Sequence, residues 1–186
     1  MSRTLQDLVN YHGDRLFDGA IDLDWFIRNP KKSADISTAY VFHGKQYHDV
    51  NILDKPVVAG KQLTDTITMV NEVLTSFNNP EKAFMLAIAG YGAGKSHFAL
   101  MLANLLGGND QKIKDTIIDN IRQIDPEKAK EIRGVLDKDS RPVLVIPING
   151  MRNCNLQQEF FTITKSILER DNQSLNCLNK FDARFE

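Results

Sequence analysis

Residues 84–106, with the sequence FMLAIAGYGAGKSHFALMLANLL, are the stretch that decides the fold. The stretch opens with an apolar run, 84–89, whose length and composition are typical of a buried strand. It closes with apolar residues at helical spacing that end at a glycine pair: Phe98, Met101, Leu102, Leu105 and Leu106, then Gly107 and Gly108. A strand, a glycine-rich loop and a helix in this order predict a β-loop-α unit.

The loop of this unit, AGYGAGKS at residues 89–96, is similar to the phosphate-binding pattern G-x-x-x-x-G-K-[ST]. It matches every fixed position except the first, where Ala89 replaces glycine. A glycine-rich turn with an incidental lysine is the alternative interpretation, and it binds no ligand. The order of strand, loop and helix favours a nucleotide site. The predicted site residues are Gly90, Tyr91, Gly92, Ala93, Gly94, Lys95, Ser96 and His97.

The chemistry of a nucleoside triphosphate explains why these residue types occur at this spacing. Gly90, Gly92 and Gly94 have no Cβ, so the loop can adopt positive φ and bring backbone N–H groups close to phosphate oxygens. The N-terminus of the following helix adds a partial positive charge. We predict that Lys95 reaches the β- and γ-phosphates and that the Ser96 hydroxyl binds Mg²⁺. The predicted cofactors are therefore ATP and Mg²⁺.

Composition limits the other functions that the chain can have. The 186 residues carry a formal net charge of −1, which does not indicate a nucleic-acid or membrane-surface protein. Cys154 and Cys177 have neither metal-ligand spacing nor the pattern of a disulfide framework, so we expect a cytoplasmic protein. No apolar run approaches the roughly 18 residues of a membrane span, so no membrane association is expected.

Two further parts of the chain complete the predicted organisation. Residues 1–56 are expected to form a mixed N-terminal extension, with a strand at 36–44, and residues 57–186 the nucleotide-binding domain. A second apolar run, 143–148, predicts another buried strand. The predicted fold class is α/β, a three-layer α/β/α P-loop NTPase with a parallel sheet. Helices are predicted at 61–78, 95–106, 113–124, 126–136 and 156–170.

The predicted sheet is incomplete, because two good strands fall short of the roughly five that a doubly wound sheet needs. Hydrolysis also requires an acid that holds Mg²⁺, normally at the end of a second apolar strand. Neither predicted strand ends in an acid, and Asp137 follows apolar residues inside a helical stretch. We therefore expect these residues to be the N-terminal portion of a longer ATPase, and whether this chain hydrolyses ATP stays open.

The segment GYGAGKSHFAL, with His-Phe directly after Lys-Ser and a long extension before the loop, resembles a known group of proteins. It is similar to the large ATP-binding proteins of bacterial antiphage systems, the BREX and phage-growth-limitation ATPases, over residues 84–100. The resemblance implies an AAA-type ATPase on a longer chain, acting on DNA or on partner defence proteins, and a homo-oligomer at full length. It also implies phosphate contacts from Gly92, Gly94 and Lys95 and a magnesium contact from Ser96.

Two other functions are compatible with a phosphate-binding loop. A small P-loop kinase would fit in a single domain of this length and would place acceptor-binding arginines in a lid. The arginines after the loop include no clustered pair, which argues against a kinase. A non-hydrolysing ATP sensor that assembles partners differs in its response, because ATP would change the oligomeric state without release of phosphate.

Overall fold

A computed structural model shows a largely helical protein. It describes residues 20–44, 65–77, 79, 84–86, 92–138, 143–148, 150, 155–176 and 178. The helices are α1 (Trp25–Arg28), α2 (Pro30–Thr38), α3 (Thr66–Ser76), α4 (Lys95–Gly107), α5 (Gln111–Arg122), α6 (Pro126–Lys138) and α7 (Leu156–Arg170). Of these helices, none combines the length and the apolar composition needed to cross a membrane. The predicted domain boundary after residue 56 lies outside the described ranges.

The predicted α/β fold class, with its parallel sheet, is wrong. Helix accounts for 66% of the described residues, and no strand occurs among them. In the first predicted strand, Phe84 and Leu86 are 80% and 70% exposed, whereas a central strand of a sheet would be buried. The remainder of that run, 87–89, lies outside the described residues.

The second predicted strand, 143–148, is described throughout and has no regular secondary structure. Val145, Ile146 and Ile148 instead pack against a cluster of helical side chains. A strand needs a neighbouring strand to satisfy its backbone N–H and C=O groups, and the described residues supply no such neighbour. The predicted burial of this run is only partly met, because its residues are half-buried and Leu144 is 46% exposed. Apolar composition does not identify the neighbouring strand that a sheet requires.

The strand predicted at 36–44 is also wrong, because α2 runs to Thr38 and residues 39–44 form no strand. The helix begins at Pro30, in the first helical position, after Asn29, whose side chain accepts a hydrogen bond from Lys32 N at 3.1 Å. This cap and proline start a helix that continues into the β-favouring residues from Ile36 onward. Local helix initiation outweighs β-propensity here.

The helices after the loop were predicted well. The structure places α4, α5, α6 and α7 within a few residues of the expected bounds, and α4 ends at the predicted glycine, Gly107. Aspartate or asparagine caps start α3, α5, α6 and α7, each accepting from a backbone N–H of the first turn. The capping residues are Asp65, Asp110, Asp125 and Asn155.

Among the residues that the structure describes, two apolar clusters form the interior, and α4 contributes to both of them. The larger cluster joins α3, α4, α5 and α6, and includes Met101 and Leu105 from α4. The smaller cluster joins α1, α2, α4 and α7, and includes Leu100 and Ala103 from α4. Because consecutive residues of α4 are buried in different clusters, this helix is apolar around most of its circumference and is the central element of the fold.

Helix α2 covers one side of α4, and a buried polar group joins the two helices. The side-chain amide nitrogen of Asn104 lies 2.7 Å from Ser33 Oγ and 2.9 Å from Ser37 Oγ. All three residues are buried, so these hydrogen bonds replace contacts with water that burial removes. The contact fixes which face of α2 meets α4.

Candidate functional site

The predicted phosphate-binding loop leads directly into the central helix, α4. Gly92 and Gly94 have φ of 76° and 77°, the positive values that the glycine pattern predicts. A Cβ added to either glycine would meet no atom within 4 Å. The requirement for glycine therefore comes from the backbone conformation, which is costly for residues with a side chain, and not from crowding.

The structure brings the described members of the predicted site together at one place. Gly92, Ala93, Gly94, Lys95 and Ser96 are all exposed, and they lie in the loop and at the first two positions of α4. Of the other predicted site residues, His97 is partly buried, and Gly90 and Tyr91 lie outside the described residues.

The start of α4 has the features of an anion-binding helix terminus. The first hydrogen bond within the helix runs from Phe98 N to Gly94 O at 2.9 Å, so the amides of Lys95, Ser96 and His97 precede it. Gly94 is the N-cap, and it has no side chain that could cap these amides as the aspartate and asparagine caps do elsewhere. The positive end of the α4 dipole and Lys95, the first residue of the helix, therefore lie together on an exposed surface.

His97 contacts α2 and the residues that follow it. Its Nε2 lies 2.8 Å from the backbone oxygen of Ile36. Its ring meets the Tyr40 ring edge-on, with centroids 4.9 Å apart and planes at 85°. Because a carbonyl oxygen only accepts, the geometry assigns the proton to Nε2.

Burial changes the proton affinity of both rings in this contact. It lowers the pKa of His97 below the ordinary 6.5, and the hydrogen bond to Ile36 opposes this effect. It raises the pKa of Tyr40 above the ordinary 10.0, and the hydrogen bond with Thr66 opposes that effect. Both rings are therefore neutral near pH 7, and the contact between them involves no formal charge.

Ser96 is the predicted magnesium ligand, and its hydroxyl is available on the exposed first turn of α4. A magnesium ion usually binds one or two carboxylates together with phosphate oxygens and water, and in phosphate-binding loops a serine or threonine hydroxyl is one of its ligands. The Ser96 hydroxyl therefore fits one position of such a site. Across the described part of the chain, no group of three or more His, Cys, Asp or Glu side chains could hold a metal. Asp137 accepts from Arg133 Nε at 3.2 Å and is engaged in that ion pair.

The contact between the loop helix and α2 was missed by sequence reasoning. Residues 36–44 were predicted as a strand, which hid the proximity of the Ile36 carbonyl and the Tyr40 ring to His97. The signal that could have revealed it is Asn29-Pro30, a capping residue followed by proline, which marks a helix start.

The site must be interpreted from its own geometry. Comparison of the chain with protein-family models, with curated proteins and with solved structures finds no match. The observations that remain are the positive φ values of two glycines, an exposed helix N-terminus, and a lysine and a serine at its first two positions.

Proposed function

We propose that the loop at 90–96 and the first turn of α4 bind the triphosphate of ATP together with Mg²⁺. The observation that carries the proposal is the left-handed backbone at Gly92 and Gly94 immediately before the helix that starts with Lys95 and Ser96. Left-handed glycines next to a helix start are a backbone arrangement in which successive N–H groups form anion-binding concavities. The helix N-terminus adds its partial positive charge at the same point.

The proposed binding does not depend on a sheet. Phosphate is held by backbone amides, by the ammonium group of Lys95 and by the helix dipole, all of which belong to the loop and α4. The rigid support that a strand would give in other nucleotide-binding proteins is supplied here by the two apolar clusters around α4. Mg²⁺ would join Ser96 to the phosphate oxygens and neutralise part of their charge.

The wider role follows from the resemblance of the loop to the antiphage ATP-binding proteins. We propose that the protein is cytoplasmic and that ATP binding changes its contacts with a second copy of itself, with partner defence proteins or with DNA. The kinase and the non-hydrolysing sensor are the competing functions. Phosphoryl transfer to a metabolite panel would favour the kinase, whereas a change of oligomeric state by ATP without phosphate release would favour the sensor.

Replacement of Lys95 by alanine tests the proposal directly. Isothermal titration calorimetry with MgATP should show binding to the wild type and at least about tenfold weaker binding to Lys95→Ala, because a charge-assisted contact is lost. Lys112→Ala is the matched control, since Lys112 lies at the second position of α5, whose start is capped by Asp110. Equal affinities of wild type and Lys95→Ala for MgATP would contradict the proposal.

Replacement of Ser96 by alanine tests the magnesium contact separately. The Ser96→Ala variant should bind ATP like the wild type in excess chelator, because its loop amides and Lys95 are intact. Addition of Mg²⁺ should then strengthen ATP binding by the wild type more than by the variant, since only the wild type offers the hydroxyl. The same Mg²⁺ gain in both proteins would remove Ser96 from the metal site.

A phosphate-release assay tests hydrolysis. Purified protein of residues 1–186 should turn ATP over negligibly, because neither apolar run, 84–89 nor 143–148, ends in the acid that holds Mg²⁺ in hydrolysing P-loop proteins. Robust steady-state release of phosphate that is lost in Lys95→Ala would show that the chain contains its own catalytic acid. The binding proposal would survive that result.

A further inference from the structure

The His97 side chain joins the first turn of α4 to the end of α2. His97 is the third residue of α4, and its Nε2 donates to the Ile36 carbonyl at 2.8 Å. The Tyr40 ring stands edge-on against the imidazole, with centroids 4.9 Å apart. Tyr40 also contacts Phe42 and Phe98, whose ring centroids lie 4.9 Å and 5.8 Å from the Tyr40 centroid. The imidazole therefore packs at the edge of a group of aromatic side chains.

The position of His97 in the helix gives this contact its significance. The backbone N–H of His97 is one of the amides that precede the first hydrogen bond of α4, and these are the amides that face a bound phosphate in the proposed site. The side chain of the same residue is attached to α2. The backbone of His97 thus belongs to the phosphate-facing turn, and its side chain contacts the neighbouring helix.

We infer that His97 is a positioning residue, which holds the first turn of α4 against the end of α2 and thereby sets the affinity of the loop for the nucleotide. This inference rests on the proposed function. Helix ends fray, and a terminal turn that moves would have to be ordered again when phosphate binds. The hydrogen bond to Ile36 restricts that motion before the ligand arrives.

Two substitutions of His97 separate the hydrogen bond from the ring. His97→Gln keeps an N–H donor at nearly the same distance from the backbone, and His97→Phe keeps an aromatic ring beside Tyr40 but has no donor. Asn104→Ala is the matched control, because it removes another polar contact between α2 and α4, about two helical turns after His97. All three variants should be compared with the wild type.

Two measurements distinguish failure of the inference from failure of the proposed function. Hydrogen exchange of the amides of residues 98–100 without nucleotide reports the stability of the first turn. Calorimetric titration with MgATP reports the affinity. If the wild type binds no MgATP, the proposed function fails, and hydrogen exchange alone decides whether His97 anchors the turn.

His97→Phe should exchange these amides about fivefold faster and bind MgATP about fivefold more weakly, the effect of one lost hydrogen bond. His97→Gln should stay within about twofold of the wild type in both measurements, and Asn104→Ala should keep its affinity despite a lower stability. Wild-type behaviour of His97→Phe would overturn the inference. An equal loss of affinity in His97→Phe and Asn104→Ala would also overturn it, because the effect would then come from the packing of α2 on α4 in general.

Discussion

Gly94 has a left-handed backbone, with φ of 77°, at the position where α4 starts. Replacement by alanine should lower the free energy of unfolding by about 1 kcal/mol, because the left-handed conformation is unfavourable for a residue with a Cβ. No neighbouring atom would be displaced, since a Cβ at this position meets nothing within 4 Å. Urea denaturation of Gly94→Ala measures the difference.

Gly134 provides the control for this prediction. It lies inside α6, its added Cβ also meets nothing within 4 Å, and its φ is not positive. Gly134→Ala should therefore raise the free energy of unfolding by about 0.5–1 kcal/mol, since alanine favours a helix over glycine. A stabilising effect of both substitutions would contradict the left-handed start of α4.

The lowered pKa of His97 predicts a pH dependence of stability. The folded protein holds the neutral ring, so the stability that this ring contributes is present above the ordinary pKa of 6.5. It is lost as the pH falls through the lowered pKa of the folded state. Between about pH 8 and about pH 5, the wild type should therefore lose more stability than His97→Gln.

Denaturant unfolding at several pH values measures this difference. The carboxyl groups with lowered pKa do not interfere, because Asp115 and Glu131 titrate below their ordinary values of 3.8 and 4.5. Arg133 lowers the pKa of Asp115, and Lys128 lowers that of Glu131. Identical pH profiles of wild type and His97→Gln would show that the imidazole is not neutralised by burial.

At the scale of elements, the contact between α2 and α4 depends on a buried amide. Asn104→Ala removes the donor to Ser33 and Ser37 and leaves two buried hydroxyl groups without it. We expect a loss of about 2 kcal/mol in the free energy of unfolding, the usual effect of unsatisfied buried polar groups. Chemical denaturation of Asn104→Ala checks the value.

A double substitution tests whether this loss comes from the contact. Ser33→Ala in the Asn104→Ala background should cost less than Ser33→Ala alone, because the hydroxyl has already lost its partner. Additive effects of the two substitutions would mean that the amide and the hydroxyl do not interact. The comparison requires the wild type, the two single variants and the double variant.

The predictability of each element follows from the kind of signal that it carries. Helix α7 could be predicted at its bounds, because Asn155 caps it and apolar residues recur at helical spacing. The positive φ of Gly92 and Gly94 likewise depends on the local sequence, and it agrees with the prediction. The predicted strands failed because a strand exists only with a partner, and apolar runs such as 143–148 do not identify one.

The contact of His97 with Ile36 could not be predicted for a related reason. It joins residues far apart in the sequence, and the segment around Ile36 was assigned to the wrong element. A pattern of residue types near the loop identified a candidate site, but tertiary packing decides which neighbour each side chain meets. Roles that depend on such packing require the structure.

At the scale of the whole molecule, the two apolar clusters share α4. Leu100 and Met101 are adjacent, both are fully buried, and they belong to different clusters. Leu100→Ala and Met101→Ala should each lower the free energy of unfolding by about 2–5 kcal/mol, from lost burial and a residual cavity. Both variants should still unfold in one transition, because α4 links the clusters.

Circular dichroism and intrinsic fluorescence measure this transition with separate probes. The chain has a single tryptophan, Trp25, which lies in α1 and packs against the smaller cluster, whereas circular dichroism reports the helices together. Coincident transitions are expected for both variants. A fluorescence change well before the loss of helix in Leu100→Ala would show that the smaller cluster unfolds independently.

The central place of α4 has a consequence for the thermal behaviour of the protein. A ligand that binds at the N-terminus of this helix acts on a segment shared by both apolar clusters of the described residues, so its binding energy cannot be confined to one of them. Saturation with ligand at about a hundred times the dissociation constant adds about 2.7 kcal/mol to folding, whatever the ligand touches. The melting temperatures reported by probes in either cluster should therefore rise together.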